Sequence, residues 1–377
     1  MKYNTIFLFF FTLTFLSAQN NYRGIVLDSL SGEPMKYANF IWENGHGAIT
    51  NEEGGYEFFV RSNDSLLITI SYIGYHDLQL NLGELNDTIY LSPKAYELDE
   101  VVVIDTDDLK KKILVNFNKN YELNSSCEEF FYKQFLKEND KYVNYLESIG
   151  VVKKLVDIEG QELYIKGVRK TENLITSYVN FRFQSISRLF DRISKNILKD
   201  GEITDYDWIA EKLIEVTVKD YETEKDYILT IDTSDYSIQK VIKSDLTEGF
   251  NEKIFSKTMY INNKSREVDG FLQGEFFEYD FKKVEGKYFL NHIYHKGKGI
   301  LLSKDKTVKH QFISEQLYLT TNISSSCNPK KNYSQLKRGR DLRDINAKLD
   351  QEQWSKLNAI LPLKEQLEII STLGKVE

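Results

Sequence analysis

The sequence has little of what metal centres and nucleotide-binding sites are built from. Its 377 residues include only two cysteines and five histidines. Two thiols alone cannot build a structural metal cage, in which every ligand comes from the protein. The chain also contains no G-x-G-x-x-G, no P-loop and no G-x-S-x-G, the motifs of dinucleotide sites, nucleotide phosphate loops and α/β-hydrolases. We therefore predict no cofactor, no metal and no catalytic residue.

The chain also lacks an excess of positive charge. Its formal net charge is −8, and it becomes −9 without residues 1–19, which contain one lysine and no acidic residue. A mildly acidic protein is not attracted to nucleic acid, so no such partner is predicted. A basic run from Lys330 to Arg343 is interrupted by Asp341 and followed by Asp344. We interpret it as a solvated face, and contact with anionic lipid is the alternative.

A long uncharged run occurs only at the start of the chain. Residues 5–18 carry no charge, follow Lys2 and end in small residues, which is the layout of a secretory signal peptide. A membrane-spanning helix needs roughly 20 apolar residues, and this run is shorter; a retained membrane anchor is the alternative. We predict a signal peptide over residues 1–19, export of the rest, and no transmembrane segment in the mature chain.

The two cysteines, Cys127 and Cys327, lie in polar stretches near the two ends of the second half of the sequence. An exported chain meets oxidising conditions, in which a single disulfide can form. A disulfide between them is one interpretation, and two free surface thiols are the other.

Short alternating strands separated by turns fill residues 22–91. Leu78, Leu80 and Leu82, for example, alternate with polar residues, the pattern of a strand with one buried face. Turn residues recur about every 10 residues, as in a small β-sandwich. Asn51 and Gly54 favour a left-handed turn before the next strand.

The order of these signals carries a resemblance. The segment reads G-x-V-x-D, SGEP, TNEEGGYEF and SYIGY in turn, and closes with ELDEVVV. It resembles the carboxypeptidase regulatory-like domain. The resemblance implies a seven-stranded, transthyretin-like (prealbumin-like) β-sandwich over residues 20–103. It also implies a cell-envelope protein of Gram-negative bacteria, located in the periplasm or at the periplasmic face of the outer membrane.

The histidines test whether the enzyme in that family name is present. A zinc carboxypeptidase site uses His-x-x-Glu and a distant His around an open position. No histidine here is followed by glutamate three residues later; the five are His46, His76, His292, His295 and His310. His292 and His295 lie three apart on a predicted strand and point to opposite faces, so they cannot share an ion. We interpret both as surface residues, and predict that the chain is not an enzyme.

The pattern changes after the predicted sandwich. One helical stripe predicts a connector helix within residues 104–124, and its members are Leu109, Ile113, Phe117 and Tyr121. Long alternating strands then predict a larger antiparallel β domain over residues 125–325. A basic tail with helical periodicity follows over residues 326–377. The predicted fold is therefore mainly β, with a connector helix and C-terminal helices.

Two segments of the larger domain carry a second resemblance. ILTIDTSDYSIQKV and KKVEGKYFLNHI are similar to strands of lipoprotein-carrier-like half-barrels, in which an antiparallel sheet curls around an apolar groove. A flat sheet of long antiparallel strands gives the same alternation. The sequence is compatible with both forms.

Aromatic residues are abundant, with 24 Tyr, 23 Phe and 3 Trp. Tyr and Phe favour strands, so most are expected in the core. Two clusters are candidates for the lining of a ligand groove, and their members are Phe130, Phe131, Tyr132, Phe276, Phe277, Tyr279 and Phe281.

These patterns predict an exported, non-catalytic binding or adaptor protein of the cell envelope, whose partner is an envelope protein, a glycan or an apolar ligand. Peripheral contact with the outer membrane is compatible with the basic tail. One alternative is a periplasmic carrier that shelters an acyl chain in a curled sheet. Another is an accessory component of TonB-dependent nutrient uptake, because a sandwich followed by LDEVVV resembles the N-terminal extension of those transporters. A hydrolase is least favoured, since no zinc carboxypeptidase motif is present.

Overall fold

The computed structural model describes most of the chain as β-strands in one small and one large unit. The described residues are 19–42, 47–61, 67–94, 104–122, 126–154, 161–171, 193–221, 225–245, 252–261, 264–305, 309–324, 329–330, 332–336, 342, 345–349, 354 and 360–371. The predicted signal peptide up to residue 18 lies outside them, as does Cys327. The prediction of a mainly β protein with few helices is confirmed.

The N-terminal unit is a sandwich of two sheets. Its strands are β1 (Gln19–Asp28), β2 (Asn39–Trp42), β3 (Gly47–Ile49), β4 (Gly55–Arg61), β5 (Leu67–Ser71), β6 (Leu78–Asn81) and β7 (Thr88–Leu91). One sheet has the order β4-β1-β7 and the other β3-β2-β5-β6. The seven-stranded sandwich was expected, and the structure confirms it.

Alternation explains why these segments are strands. In β5, Ile68 and Ile70 are fully buried between the sheets while their neighbours are half-buried, as a two-residue period requires. The turn before β4 is held by Asn51, whose Oδ1 accepts hydrogen bonds from the backbone N–H groups of Glu53 and Gly55 at 2.9 and 2.8 Å. Gly54 has a φ of +73°, so the left-handed turn expected there is confirmed.

The predicted connector is helix α1 (Thr106–Asn120). Asp105 caps its start, because its side chain accepts hydrogen bonds from the N–H groups of Asp107 and Asp108 at 3.0 Å. The predicted stripe is buried, and its members are Leu109, Ile113, Phe117 and Tyr121. A π-helix, Ile193–Lys199, lies beside α1 and packs into the same cluster.

The larger unit is an antiparallel sheet of twelve strands. They are β8 (Cys127–Glu138), β9 (Lys141–Lys154), β10 (Gln161–Lys170), β11 (Glu202–Ala210), β12 (Leu213–Asp220), β13 (Lys225–Asp232), β14 (Ser237–Asp245), β15 (Glu252–Ile261), β16 (Lys264–Val284), β17 (Lys287–Ser303), β18 (Lys309–Ser324) and β19 (Ser334–Leu336). Their order is β11-β12-β13-β14-β16-β17-β18-β8-β9-β10-β19, and β15 pairs with β16. Among the described strands, β11 and β19 stand at the two ends of this order.

Each face of this large sheet packs against a different partner. We call one the α1 face, because its residues form one cluster with α1 and the π-helix; they include Phe130, Tyr132, Tyr279, Phe281 and Tyr318. We call the other the sandwich face, because its residues pack against Tyr37 and Ile49 of the sandwich; they include Phe131, Ile149, Tyr294, Leu317 and Leu319. The sheet therefore has no fully solvated side in these regions.

The C-terminal tail also lies on the sandwich face. Trp354 and Ile360 join the cluster that contains Tyr37, and Asn51 of the sandwich donates a hydrogen bond to the Leu361 carbonyl at 3.3 Å. A helical turn, Lys364–Gln366, leads into α2 (Leu367–Ile370). The tail therefore ties the sandwich to the large sheet.

The expectation of a helical tail is only partly right. Residues 345–349 are not helical, because the Ala347 carbonyl accepts a hydrogen bond from the Val168 N–H at 2.8 Å. Beyond its pairing with β19 at Leu163–Ile165, β10 supplies backbone donors that a helical tail would leave unpaired.

In the ranges that the structure describes, no helix is long and apolar enough to cross a membrane.

Candidate functional site

A row of side chains crosses five neighbouring strands on the α1 face. Gln134 of β8 lies opposite Gln316 of β18, and Gln316 lies opposite His295 of β17. His295 in turn lies opposite Phe277 of β16, and Phe277 opposite Lys243 of β14. Glu275 lies two residues before Phe277 and so shares its face. The term polar row is used below for Gln134, Gln316, His295, Lys243 and Glu275.

One end of the polar row is a hydrogen-bonded group of neutral side chains. The Tyr132 hydroxyl lies 3.2 Å from Oε1 of Gln134 and 3.3 Å from Oε1 of Gln316, and donates to them. Nε2 of Gln316 donates to the Ser314 hydroxyl at 3.4 Å. Because Gln316 is half-buried, this end presents amide groups that are held in place but can be reached.

The other end of the polar row is an ion pair beside an imidazole. Nζ of Lys243 lies 3.4 Å from Oε2 of Glu275, and Nε2 of His295 lies 3.6 Å from Oε1 of the same carboxylate. Burial disfavours ionisation of Glu275, but His295 and Lys243 outweigh it and lower the Glu275 pKa. Burial lowers the Lys243 pKa, and Glu275 partly offsets this. The pair carries no formal net charge.

An aromatic stripe on β16 connects the polar row with α1. Phe277, Tyr279 and Phe281 are every second residue and therefore line one face over about 13 Å. The ring of Phe277 lies 4.1 Å from that of His295 at 12°, and 6.0 Å from that of Tyr279 at 1°. At the far end the ring of Phe281 meets Tyr121, just beyond α1, at 5.6 Å. Polar and apolar groups thus adjoin on one face.

The structure divides the seven predicted groove aromatics between the two faces. On the α1 face lie Phe130, Tyr132, Phe277, Tyr279 and Phe281. On the sandwich face lie Phe131 and Phe276. Phe276 and Phe277 are half-buried and the others are buried, so most contact other side chains. That a ligand lies against them remains a prediction.

The sandwich face carries a second polar region, where β14, β16 and β17 meet the sandwich. We call it the charged seam; it comprises Lys36, Asn39, Lys240, Glu278, Asp280, Asn291 and His292. Nε2 of His292 lies 3.2 Å from Oε1 of Glu278, and its Nδ1 lies 3.9 Å from Oδ1 of Asp280. Nδ2 of Asn291 donates to Asp280 at 3.1 Å and to Oδ1 of Asn39 in the sandwich.

His292 is only 1 % exposed, so the interpretation as a surface histidine is wrong. The sandwich covers it, since the ring of Tyr37 lies 5.1 Å from the imidazole. His295 is also mostly buried, at 18 % exposure. Strand alternation placed the two histidines correctly on opposite faces, but the partners that bury them come from distant parts of the chain.

Charges in the seam balance one another. Burial would raise the pKa of Glu278, but His292 and Lys240, with Nζ 3.7 Å from Oε1, lower it to about 2. Lys282 lies beside the seam, two residues after Asp280 on the same strand; burial lowers its pKa to about 8, although Glu128 and Asp280 partly offset it. The Lys282 ammonium donates to the Thr320 carbonyl at 2.9 Å. The seam is therefore a closed network of ion pairs and hydrogen bonds.

Neither polar region forms a metal site in the part of the chain that the structure describes, where no group of three or more His, Cys, Asp or Glu has suitable geometry. Cys127, at the start of β8, is disulfide-bonded. Its predicted partner Cys327 lies outside the described residues, so their pairing stays a prediction.

Comparisons with known proteins bear mainly on the N-terminal unit. No curated protein matches the chain. A structure of lipovitellin that concerns lipid–protein interactions is similar at 12 % identity and a TM-score of 0.25, over 56 % of this chain and 27 % of that one. A putative outer membrane lipoprotein-sorting protein domain from Vibrio parahaemolyticus is similar at 8 % identity and a TM-score of 0.25, over 60 % and 96 % of the two chains. This chain thus spans about a quarter of the lipovitellin chain. Residues 22–103 match the family model of the CarboxypepD_reg-like domain, so the N-terminal sandwich is identified as a domain of that kind.

Proposed function

We propose that this chain is an exported, non-catalytic binding protein of the cell envelope, and that its ligand lies on the α1 face of the large sheet. The observation that carries the proposal is the aromatic stripe of β16, which continues from the cluster under α1 to half-buried Phe277. Binding sites for small ligands combine an apolar lining with a few placed polar groups. The stripe and the adjoining polar row supply both.

Three features support the envelope location. The sequence begins with the layout of a signal peptide. Residues 22–103 match the CarboxypepD_reg-like domain, which the resemblance associates with Gram-negative envelope proteins. Cys127 is disulfide-bonded, and such bonds persist in oxidising compartments such as the periplasm.

A pair of adjacent residues on opposite faces provides the test of the binding surface. Phe277→Ala removes part of the stripe on the α1 face, whereas Phe276→Ala removes a half-buried ring of the same size from the sandwich face. The full mature protein is titrated with the fluorescent apolar probe N-phenyl-1-naphthylamine. We expect the probe to bind the wild type, and Phe277→Ala to weaken binding about tenfold, because a lost aromatic contact removes about 1–2 kcal/mol.

Phe276→Ala should bind the probe as the wild type does. Circular dichroism of both variants confirms that the fold is kept. Equal loss in the two variants, or no binding to the wild type, would contradict the proposed surface.

A periplasmic acyl-chain carrier is the second candidate. It is favoured by the way α1 covers the large sheet: an amphipathic helix lies on an apolar cluster through Leu109, Ile113 and Phe117. A helix in that position can act as a cover that moves when a chain enters. The carrier predicts lipid in solvent extracts of the purified protein, and transfer of a fluorescent acyl chain between vesicles. Binding of the naphthylamine probe without extractable lipid or transfer would leave a binding protein and exclude the carrier.

A further inference from the structure

We propose that the polar row recognises the uncharged, hydroxyl-bearing head group of an amphiphile whose apolar part lies against Phe277, the half-buried end of the aromatic stripe. This inference rests on the proposed function, since it assigns a chemical class to the ligand of the same face. The polar row is then a second subsite, separate from the apolar subsite that the aromatic stripe provides.

The first argument is position. Glu275, Phe277, Tyr279 and Phe281 share one face of β16, so the polar group continues the line of the aromatic stripe. His295 connects the two parts, because its ring stacks on Phe277 at 4.1 Å while its Nε2 faces Glu275. A ligand with an apolar body and a polar end therefore meets matching surfaces in order.

The second argument is hydrogen-bonding capacity. Nε2 of His295 is buried, and Glu275 faces it at 3.6 Å, a distance longer than that of a well-formed hydrogen bond. Such a group costs free energy unless a partner arrives. The amides of Gln134 and Gln316 add both donors and acceptors. Hydroxyl groups donate and accept, so they suit this mixture better than groups with a single role.

The third argument is charge. Lys243 is already paired with Glu275 at 3.4 Å, so the polar row itself holds one paired charge of each sign. The neighbouring cation Lys225 also acts on Lys243 and lowers its pKa. A carboxylate or quaternary ammonium brought there would lose hydration and would have to compete with the existing ion pair for a counter-ion. A hydroxylated, uncharged head group loses less hydration and gains several hydrogen bonds.

The experiment compares three dodecyl amphiphiles that share the chain and differ in the head group. They are n-dodecyl-β-D-maltoside, laurate and dodecyltrimethylammonium, each titrated below its micelle concentration into the full mature protein by isothermal calorimetry. We expect the maltoside to bind at least about tenfold more tightly than either ion.

The variants separate the two subsites. Gln316→Ala and His295→Ala should each weaken maltoside binding about fivefold to tenfold and leave the two ions almost unchanged. Phe277→Ala should weaken all three ligands by a similar factor. Gln311→Ala is the matched control, since Gln311 is an exposed glutamine on the same strand, β18, and it should change nothing.

The outcomes distinguish this inference from the proposed function. Equal binding of maltoside and laurate, or full maltoside affinity in both Gln316→Ala and His295→Ala, overturns the inference but keeps the proposed binding surface. Failure of all three amphiphiles and of the naphthylamine probe to bind overturns both. A preference for laurate that the row variants do not affect would favour the acyl-chain carrier and overturn the assignment of the head group.

Discussion

The two faces of the large sheet bury different chemistry, although alternate residues of the same strands supply both. On the sandwich face, β16 contributes Glu278 and Asp280 to a network that includes fully buried His292. On the α1 face, the same strand contributes Phe277, Tyr279 and Phe281, which alternate with Glu278 and Asp280 along the sequence. One face therefore joins two parts of the chain, and the other presents an apolar surface with a polar end.

The difference has a physical consequence for how each face can change. Interfaces between domains are commonly more polar than domain cores, and buried ion pairs there require every partner to be present. The charged seam meets this requirement with residues from both units, such as Asn39 and Asn291. An apolar face such as the one under α1 tolerates exchange of one apolar partner for another, because the hydrophobic effect is not directional.

The largest expected effect comes from removing one member of the charged seam. Glu278→Ala leaves His292 and Lys240 buried without their shared carboxylate, so it should lower the free energy of unfolding by about 3–5 kcal/mol. Urea unfolding followed by circular dichroism measures the change. Glu275→Ala on the α1 face should lower it by only about 1–2 kcal/mol, because Glu275 is half-buried. Equal effects of the two substitutions would contradict the distinction between the faces.

A cavity under α1 should have the next largest effect. Ile113 is fully buried in the α1-face cluster, so Ile113→Ala should lower the free energy of unfolding by about 2–4 kcal/mol. Val115 lies on the opposite side of the same helix with 68 % exposure, and Val115→Ala should change it by less than about 0.5 kcal/mol. Urea unfolding followed by circular dichroism measures both changes. A small loss in Ile113→Ala would mean that α1 is only loosely held on the sheet.

Local features of both faces could be predicted from the sequence. The stripe of α1 follows from helical spacing, and the strands of the sandwich follow from alternation and turn residues such as Asn51 and Gly54. Alternation also separates Phe130 from Phe131 and Phe276 from Phe277. Neither run can line a single groove, because consecutive strand residues point to opposite sides of the sheet.

The polar row could not be predicted in the same way. It exists because β18 pairs with β8, which brings Gln316 near Tyr132, 184 positions earlier in the sequence. Strand order and register of this kind depend on long-range pairing rather than on local pattern. The same holds for His292: alternation gave its direction, but the covering residue Tyr37 comes from another unit.

The buried lysines of the sandwich face predict an unusual pH dependence. Lys282 and Lys133 have pKa values of about 8, lowered by burial from 10.5. Between these values the unfolded chain binds more protons than the folded one, so stability rises with pH. We expect the free energy of unfolding to increase by about 1–2 kcal/mol between pH 8 and 9.5. Unfolding in urea at several pH values measures it, and Lys282→Met should flatten the rise.

The same linkage predicts that the free energy of unfolding also falls in acid. The pKa of Glu278 is lowered from 4.5 to about 2, so its contribution is complete above pH 4.5 and is lost as the pH falls toward 2. Glu278→Ala should reduce this acid-dependent loss, while Lys282→Met should leave it in place. Stability that falls steadily from pH 8 to 9.5 in the wild type would show that burial does not lower the pKa of Lys282 and Lys133.

The smallest expected effect lies at the rim of the charged seam. Nζ of Lys36 is 4.6 Å from the ring centroids of both Tyr37 and Tyr294, so one cation from the sandwich bridges two rings, one from each unit. Cation–π contacts at partly exposed sites contribute about 0.5–1 kcal/mol. Lys36→Ala should therefore lower the free energy of unfolding by about that amount. Lys36→Arg should leave the free energy of unfolding unchanged, because it keeps the cation. Lys111→Ala is the control at an exposed position of α1 and should have no effect. If Lys36→Arg loses as much as Lys36→Ala, the contact depends on the shape of lysine rather than on its charge, and the rim would then be a packing contact unlike the ionic centre of the seam.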